Sequence, residues 1–176
     1  MNDKTLEILR TVFMGISSLV TALICFNTTR LWKKGNRPIV SAFVENESRG
    51  NVAIMYNLVV INTGNRPALN VSLHLKLEDF KKCISQDMDI DKPVVKAILK
   101  CFSIEEAIPL IINGEKKFNC FGLTSNKPEQ SIWVYGSLLP IKISYQDLEG
   151  NKYISRLTLV IKDSKTFAGT EWADPM

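Results

Sequence analysis

The chain has 176 residues, of which 45% are hydrophobic and 23% are charged, and this composition excludes wholesale disorder. Its length suits one apolar anchor and one domain of about 140 residues, enough to bury a core. The net charge is +4, but the first 37 residues contain six basic and two acidic residues, so the remainder contains 16 of each sign. Because nucleic-acid binding needs a basic face on the folded domain, this neutral composition predicts no nucleic-acid partner.

Residues 11–29 contain no charged side chain. As a helix they span about 28 Å, close to the hydrocarbon thickness of a bilayer, so they predict a transmembrane helix. Two alternatives remain open. A cleaved signal peptide is disfavoured because residues 1–10 are charge-balanced and no small-x-small cleavage site follows. A buried helix of the soluble domain is disfavoured because apolar residues cover all sides of the helix.

The charges that flank this helix predict its orientation. The N-terminal flank, residues 1–10, balances two bases against two acids, whereas the linker, residues 30–37, holds four bases and no acid. The positive-inside rule then places the N-terminus outside and the C-terminal domain in the cytoplasm. A tryptophan among these cations is typical of an interfacial anchor that contacts anionic lipid headgroups. The predicted membrane-interface residues are Arg30, Trp32, Lys33, Lys34 and Arg37.

The predicted helix also has small residues at four-residue spacing, which favours close packing of one helix on another. These predicted helix-packing residues are Ser17 with Thr21, and Ser18 with Ala22.

Residues 38–163 predict an all-β domain of about seven antiparallel strands separated by turn signals. Its clearest strands are Ala68–Leu77, in which apolar and polar residues alternate, and a hairpin formed by residues 140–162. Residues 93–102 fit a short helix or a strand. A helix there would place Val94, Ala97, Ile98 and Cys101 on one face. Residues 164–176 are predicted to be a tail, with Phe167 or Trp172 docking on the domain.

The sequence contains few residues in patterns typical of catalysis or metal binding. The one histidine, His74, lies on the polar side of its predicted strand, so we expect it to be exposed. The four cysteines lack C-x-x-C spacing, and the acidic residues 86–92 lack the later glycine and glutamate of a calcium loop. The sequence therefore predicts no catalytic, cofactor-binding or metal site, no cofactor, and a protein that is not an enzyme.

The turn formed by Asn62, Gly64, Pro67 and Asn70 is predicted to be structural. The two asparagines can bond nearby backbone, the glycine can supply a positive φ, and the proline fixes φ where the chain enters a strand. Asn62–Val71 resembles the N-x-G-x-x-P-A-x-N-V turn of bacterial immunoglobulin-like domains, including the CARDB type. Residues 108–115 and 143–153 resemble a loop and a closing hairpin of small bacterial single-pass membrane proteins.

This resemblance covers roughly residues 37–162. It departs at Asn113, where proline is usual, and in the insert formed by residues 78–102. It implies a seven-stranded antiparallel immunoglobulin-like β-sandwich, preceded by one transmembrane α-helix in the inner membrane of a bacterium. The resemblance implies no ligand site, since the matched positions are turn residues.

Together these features predict a non-enzymatic, membrane-tethered cytoplasmic interaction or assembly module that is a subunit of a membrane-associated complex. Its expected partners are an anionic bilayer and either another protein or further copies of the chain. The alternative is a membrane-perturbing effector or accessory of a bacterial antiphage defence or toxin system, with the sandwich as the sensor.

Overall fold

The computed structural model describes residues 3–49 and 52–162. The chain divides into two compact units, Met1–Arg37 and Pro38–Met176. The predicted tail, with Phe167 and Trp172, lies outside the described residues, and so do the side chains of Lys33 and Lys34.

The first unit is a single helix, α1, which spans Asp3–Gly35. It is longer than the predicted segment, because the charged residues on both sides of the apolar stretch continue the helix. Three threonine hydroxyls donate to carbonyls one turn earlier: Thr11 to Glu7 at 2.9 Å, Thr21 to Ser17 at 2.9 Å, and Thr29 to Cys25 at 2.8 Å. These bonds satisfy polar side chains inside an apolar helix without any partner from another element.

The second unit is mostly β, with seven antiparallel strands in two sheets. The strands are β1 (Val40–Arg49), β2 (Ala53–Asn62), β3 (Ala68–Leu75), β4 (Ile108–Ile111), β5 (Lys116–Ser125), β6 (Leu138–Gln146) and β7 (Lys152–Val160). One sheet has the order β1-β2-β5, and the other has the order β4-β3-β6-β7. The hairpin predicted within residues 140–162 is β6 and β7.

Two helices lie in the segment between β3 and β4, which makes three helices in the described chain. They are α2 (Leu77–Cys83) and α3 (Pro93–Lys100), and a 3₁₀ turn follows at Ile104–Glu106. The helical alternative for residues 93–102 is confirmed, but its predicted face is only partly right, since Ile98 and half-buried Cys101 pack on the core while two of its members do not. Val95 and Ile98 are buried, whereas Val94 and Ala97 are exposed.

Alternate residues of the facing strands fill the space between the sheets. An aromatic cluster closes this core, with ring centroids 4.6 Å apart for Phe121 and Trp133 and 5.3 Å apart for Phe80 and Trp133. Trp133 Nε1 also donates to the Phe121 carbonyl. Residues 132–135 have the β-branched and aromatic composition of a strand, but their one pairing among the described residues is an isolated bridge from Trp133 to Ile84. Ile132 and Trp133 are instead buried in the core.

The aromatic cluster depends on an irregularity in β5. The pairing of β2 with β5 shifts register between Met55 and Asn57, and Gly122 on the bulged strand has a φ of 85°. A Cβ at this position would lie 2.9 Å from Ile132 Cδ1 and 3.2 Å from Trp133 Nε1. Glycine is therefore required here both for its backbone conformation and for close approach.

We expect Gly122→Ala to lower the free energy of unfolding by about 2–4 kcal/mol, because left-handed strain and steric overlap act together. Gly114→Ala is the matched control, since Gly114 has a φ of 75° but no heavy atom within 4 Å of an added Cβ. Gly114→Ala should lower the free energy of unfolding by only about 1–2 kcal/mol. Urea denaturation of the full chain in detergent, followed by near-ultraviolet circular dichroism, measures both. Equal losses would contradict the close-approach argument.

The turn between β6 and β7 is organised by the buried carboxylate of Asp147. Its Oδ1 accepts from the backbone amides of Glu149 and Asn151 at 3.0 and 2.9 Å, and its Oδ2 accepts from Asn151 Nδ2 at 2.9 Å and the Tyr153 hydroxyl at 2.8 Å. Burial alone would raise the pKa of this carboxyl. The hydrogen bonds from Asn151, Tyr153 and the backbone outweigh burial, so the pKa lies below its ordinary value.

A carboxyl whose folded-state pKa is lowered stabilises the fold above the unfolded-state pKa, and this contribution is lost as the pH falls through the folded-state value. Asp147→Asn should therefore cost about 1–2 kcal/mol at neutral pH. The difference between the wild type and the variant should shrink below about pH 4. Urea denaturation between neutral and acidic pH measures this difference. A difference independent of pH would show that the ionised carboxylate does not stabilise the hairpin.

Candidate functional site

Helix α1 presents an apolar surface that nothing in the described chain covers. The segment Leu6–Trp32, 27 residues, is long and apolar enough to cross a membrane, and none of it is buried. Phe13, for example, is 75% exposed. A continuous apolar surface of this size marks a site that contacts lipid or protein, and a signal sequence has the same character.

The residues predicted to lie at the membrane interface occupy the C-terminal end of α1 and the turn after it. Arg30 and Trp32 are in the last turns of the helix and are exposed, Trp32 by 59%. Arg37 follows the helix and is exposed, and the backbone of Lys33 and Lys34 is helical. Basic side chains here also complement the negative end of the helix dipole.

The predicted helix-packing residues share one exposed face of α1. Together with Phe13, Met14 and Cys25 they line a shallow groove of about 600 Å³. These residues are Ser17, Ser18, Thr21 and Ala22. Their small side chains leave the backbone open to close approach by a second helix.

The turn after β2 is held by the fully buried side chain of Asn62. Its Oδ1 accepts from the Ile39 amide at 3.2 Å and the Gly64 amide at 3.0 Å, and its Nδ2 donates to the carbonyls of Arg66 at 2.7 Å and Ile111 at 3.1 Å. One amide thus connects the entry to β1, the turn itself and the end of β4.

The other predicted turn residues have mixed outcomes. Pro67 directly precedes β3, as expected for a residue that fixes φ at the entry to a strand. The left-handed backbone is at Asn70, with a φ of 50°, and among the described residues Gly64 is not one of the glycines with positive φ. The predicted role of Gly64 is therefore wrong. Its amide instead lies within hydrogen-bonding distance of Asn62.

The few ionisable groups singled out by sequence are engaged locally. His74 is half-buried rather than exposed, with Nε2 2.8 Å from Ser144 Oγ. In the acidic loop, the Asp91 amide donates to Asp89 Oδ1 at 3.0 Å, and Asp91 pairs with Lys96 at 2.9 Å. Burial raises the pKa of the Cys101 thiol. In the part of the chain that the structure describes, no group of three or more metal-ligating side chains occurs.

A cleft opens between the sheets beside β4 and β5. Each of these strands pairs with only one neighbour among the described strands, so each has an edge without a strand partner. The cleft has a volume of about 450 Å³, with core residues Leu58, Val60 and Leu73 at its base and the 75% exposed Phe118 on β5. Sequence reasoning missed this cleft because β4 is a four-residue strand inside a segment that resembles a turn. An open edge beside apolar surface can accept a partner strand.

Comparison with known proteins identifies a family for most of the chain. A family model described as "Domain of unknown function (DUF8453)" matches residues 7–165. The chain belongs to this family. The match includes most of α1 and the whole of the two-sheet domain. Neither the curated proteins nor the solved structures contain a significant match to this chain.

We expect Asn62→Ala to lower the free energy of unfolding by about 3 kcal/mol or more, because it removes the side-chain partner of two buried and two part-buried backbone groups. Asn70→Gly is the control, since it keeps the left-handed backbone and does not alter the Asn62 bonds. It should change stability by less than about 1 kcal/mol. Urea denaturation compares the two variants, and a mild effect of Asn62→Ala would show that the turn is held by other contacts.

Proposed function

We propose that this protein is a non-enzymatic, membrane-tethered interaction module, and that α1 anchors the two-sheet domain at the cytoplasmic face of a membrane. The observation that carries the proposal is the apolar surface of Leu6–Trp32, none of which is buried in the described chain. A membrane supplies the apolar surroundings that this helix lacks among the described residues of its own chain. The excess of bases after the helix, without any acid in residues 30–37, supports a cytoplasmic domain.

We also propose an immunoglobulin-like sandwich of the bacterial type for the domain. Its three-stranded and four-stranded sheets support this assignment. In the immunoglobulin fold, strands A, B and E are neighbours in one sheet, and strands C, F and G are neighbours in the other. Here β1, β2 and β5 are neighbours in one sheet, while β3, β6 and β7 are neighbours in the other.

Two surfaces suit the interaction role. The cleft beside β4 and β5 offers open strand edges and apolar side chains to a protein partner. The face of α1 that contains Ser17 and Thr21 suits assembly with another helix, including a second copy of the chain. Tethering raises the effective concentration of the domain toward other membrane proteins, so weak contacts at either surface suffice.

The anchoring is tested by placing charge in the middle of α1. The full chain should remain in the membrane fraction after alkaline carbonate extraction and should retain its N-terminus by intact mass. The double variant Leu19→Arg/Leu23→Arg should be released, since each central arginine costs about 2.5–3.5 kcal/mol of insertion free energy. Leu6→Arg/Leu31→Arg is the matched control, because its arginines lie near the ends of the apolar segment. Loss of the N-terminal residues would indicate a signal sequence.

Expression of the full chain in cells also distinguishes the interaction module from the alternative, a membrane-perturbing effector of a defence or toxin system. The small-residue face of α1 supports that alternative as well, because membrane perturbation requires helices to assemble. Growth arrest with dye entry upon induction, abolished by Ser17→Leu/Thr21→Leu, would favour the effector. Normal growth, together with recovery of a defined oligomer or partner from detergent, would favour the interaction module.

A further inference from the structure

The four-stranded sheet carries a row of basic side chains on its outer face. His74 of β3 lies opposite Lys142 of β6, and Lys142 lies opposite Arg156 of β7. Lys142 and Arg156 are exposed. Residues directly opposite one another have Cβ atoms about 5 Å apart, so an imidazole and two cations occupy one continuous row across three strands.

Among the described residues, no acid forms an ion pair with this row. The four strands of the sheet contain no aspartate or glutamate, and β7 adds another base, Lys152. Within the described residues, Lys142, Lys152 and Arg156 have no ion-pair partner. The acid that lines the adjoining shallow groove, Asp79, is itself paired with Lys82 at 3.1 Å.

This arrangement is unfavourable in the isolated domain, because like charges directly opposite on a sheet destabilise it. Surface sheets usually intersperse both signs of charge. A local arrangement that opposes stability without visible compensation is expected where a protein binds something. An anionic surface that contacts Lys142 and Arg156 together would supply the negative charge that offsets their repulsion.

The other residues of the face indicate which anion it meets. Ile154 lies two residues before Arg156 on the same side of β7 and is 56% exposed, and Leu138 at the start of β6 is 61% exposed. Exposed aliphatic side chains beside cations suit the interface of a bilayer. Binding to single-stranded nucleic acid uses aromatic stacking surfaces, and the aromatic residues of these strands, Tyr145 and Tyr153, stack on one another on the opposite face.

We propose that this cationic face, formed by His74, Lys142, Lys152, Ile154 and Arg156, docks on a membrane leaflet that contains anionic phospholipid headgroups. The inference rests on the proposed anchoring by α1. Only residues 36–39 separate α1 from β1, so a membrane-spanning α1 keeps the domain beside the bilayer surface. Tethering at that distance turns a weak attraction into frequent contact.

The test uses the full chain in nanodiscs of phosphatidylcholine alone or with about one-third phosphatidylglycerol, which supplies the negative surface potential. Lysine reactivity toward an imidoester is quantified by mass spectrometry. Lys142 should react about fivefold more slowly in the anionic discs. Each basic residue near such a surface raises the affinity for it by about a factor of five, and a lysine held at the surface is protected to a similar extent. Lys92 and Lys127, which flank elements associated with β5, should react equally in both discs.

Arg156→Glu should abolish the protection of Lys142, whereas Arg156→Lys should retain it. Lys127→Glu is the matched charge reversal away from the sheet and should also retain it. Near-ultraviolet circular dichroism of the Trp133 cluster checks that each variant is folded. If the chain co-elutes with the discs but Lys142 reacts equally in both lipids, the docking proposal is wrong and the anchoring proposal stands. Failure to co-elute with either disc would overturn the anchoring as well as the docking that rests on it.

Discussion

The two-sheet domain depends on one buried amide. Asn62 accepts from the residue that leads into β1 and from Gly64, and it donates to the turn and to the end of β4. These four bonds join both sheets at one end of the domain, and two of them, to Gly64 and Ile111, are buried. Leaving a buried backbone group unsatisfied costs about 1–3 kcal/mol, so the side chain fixes the path of three segments at once.

The same end also determines where the domain is open. Because β4 is held to the Asn62 turn through Ile111, the edge of the four-stranded sheet lies next to the segment that leads into β5. The Gly114 amide donates to the Asn62 carbonyl at 2.8 Å, which directs the chain from β4 back into the other sheet. The cleft between these two edge strands is therefore a consequence of the turn, and the bulge at Gly122 closes the far end of the core.

Sequence patterns predicted the parts of this protein in which local chemistry decides the structure. The apolar run predicted α1, strict alternation predicted β3, and turn residues predicted the β6–β7 hairpin. The segment between β3 and β4 was predicted least well. It contains α2 and α3, whose buried faces are set by the packing of Phe80 and Ile98 into the core of the two-sheet domain. Residues 132–135 have the composition of a strand, but Ile132 and Trp133 pack in the core, and tertiary packing overrides β-propensity there.

The distribution of charge is the clearest example of a surface property that composition does not predict. A domain with 16 bases and 16 acids gives no sign of a basic face, yet the four strands of one sheet contain no acid at all. The acids of the described part of the domain lie in β1, in α2, in the 3₁₀ turns Ile104–Glu106 and Pro128–Gln130, and in loops. The neutral total therefore hides a difference between surfaces. Strand register brings Lys142 and Arg156 opposite each other, although 14 positions separate them in sequence. A domain whose net charge is near zero can still be attracted to an anionic surface through one basic face. Such an attraction orients the domain, because only that face is drawn to the surface.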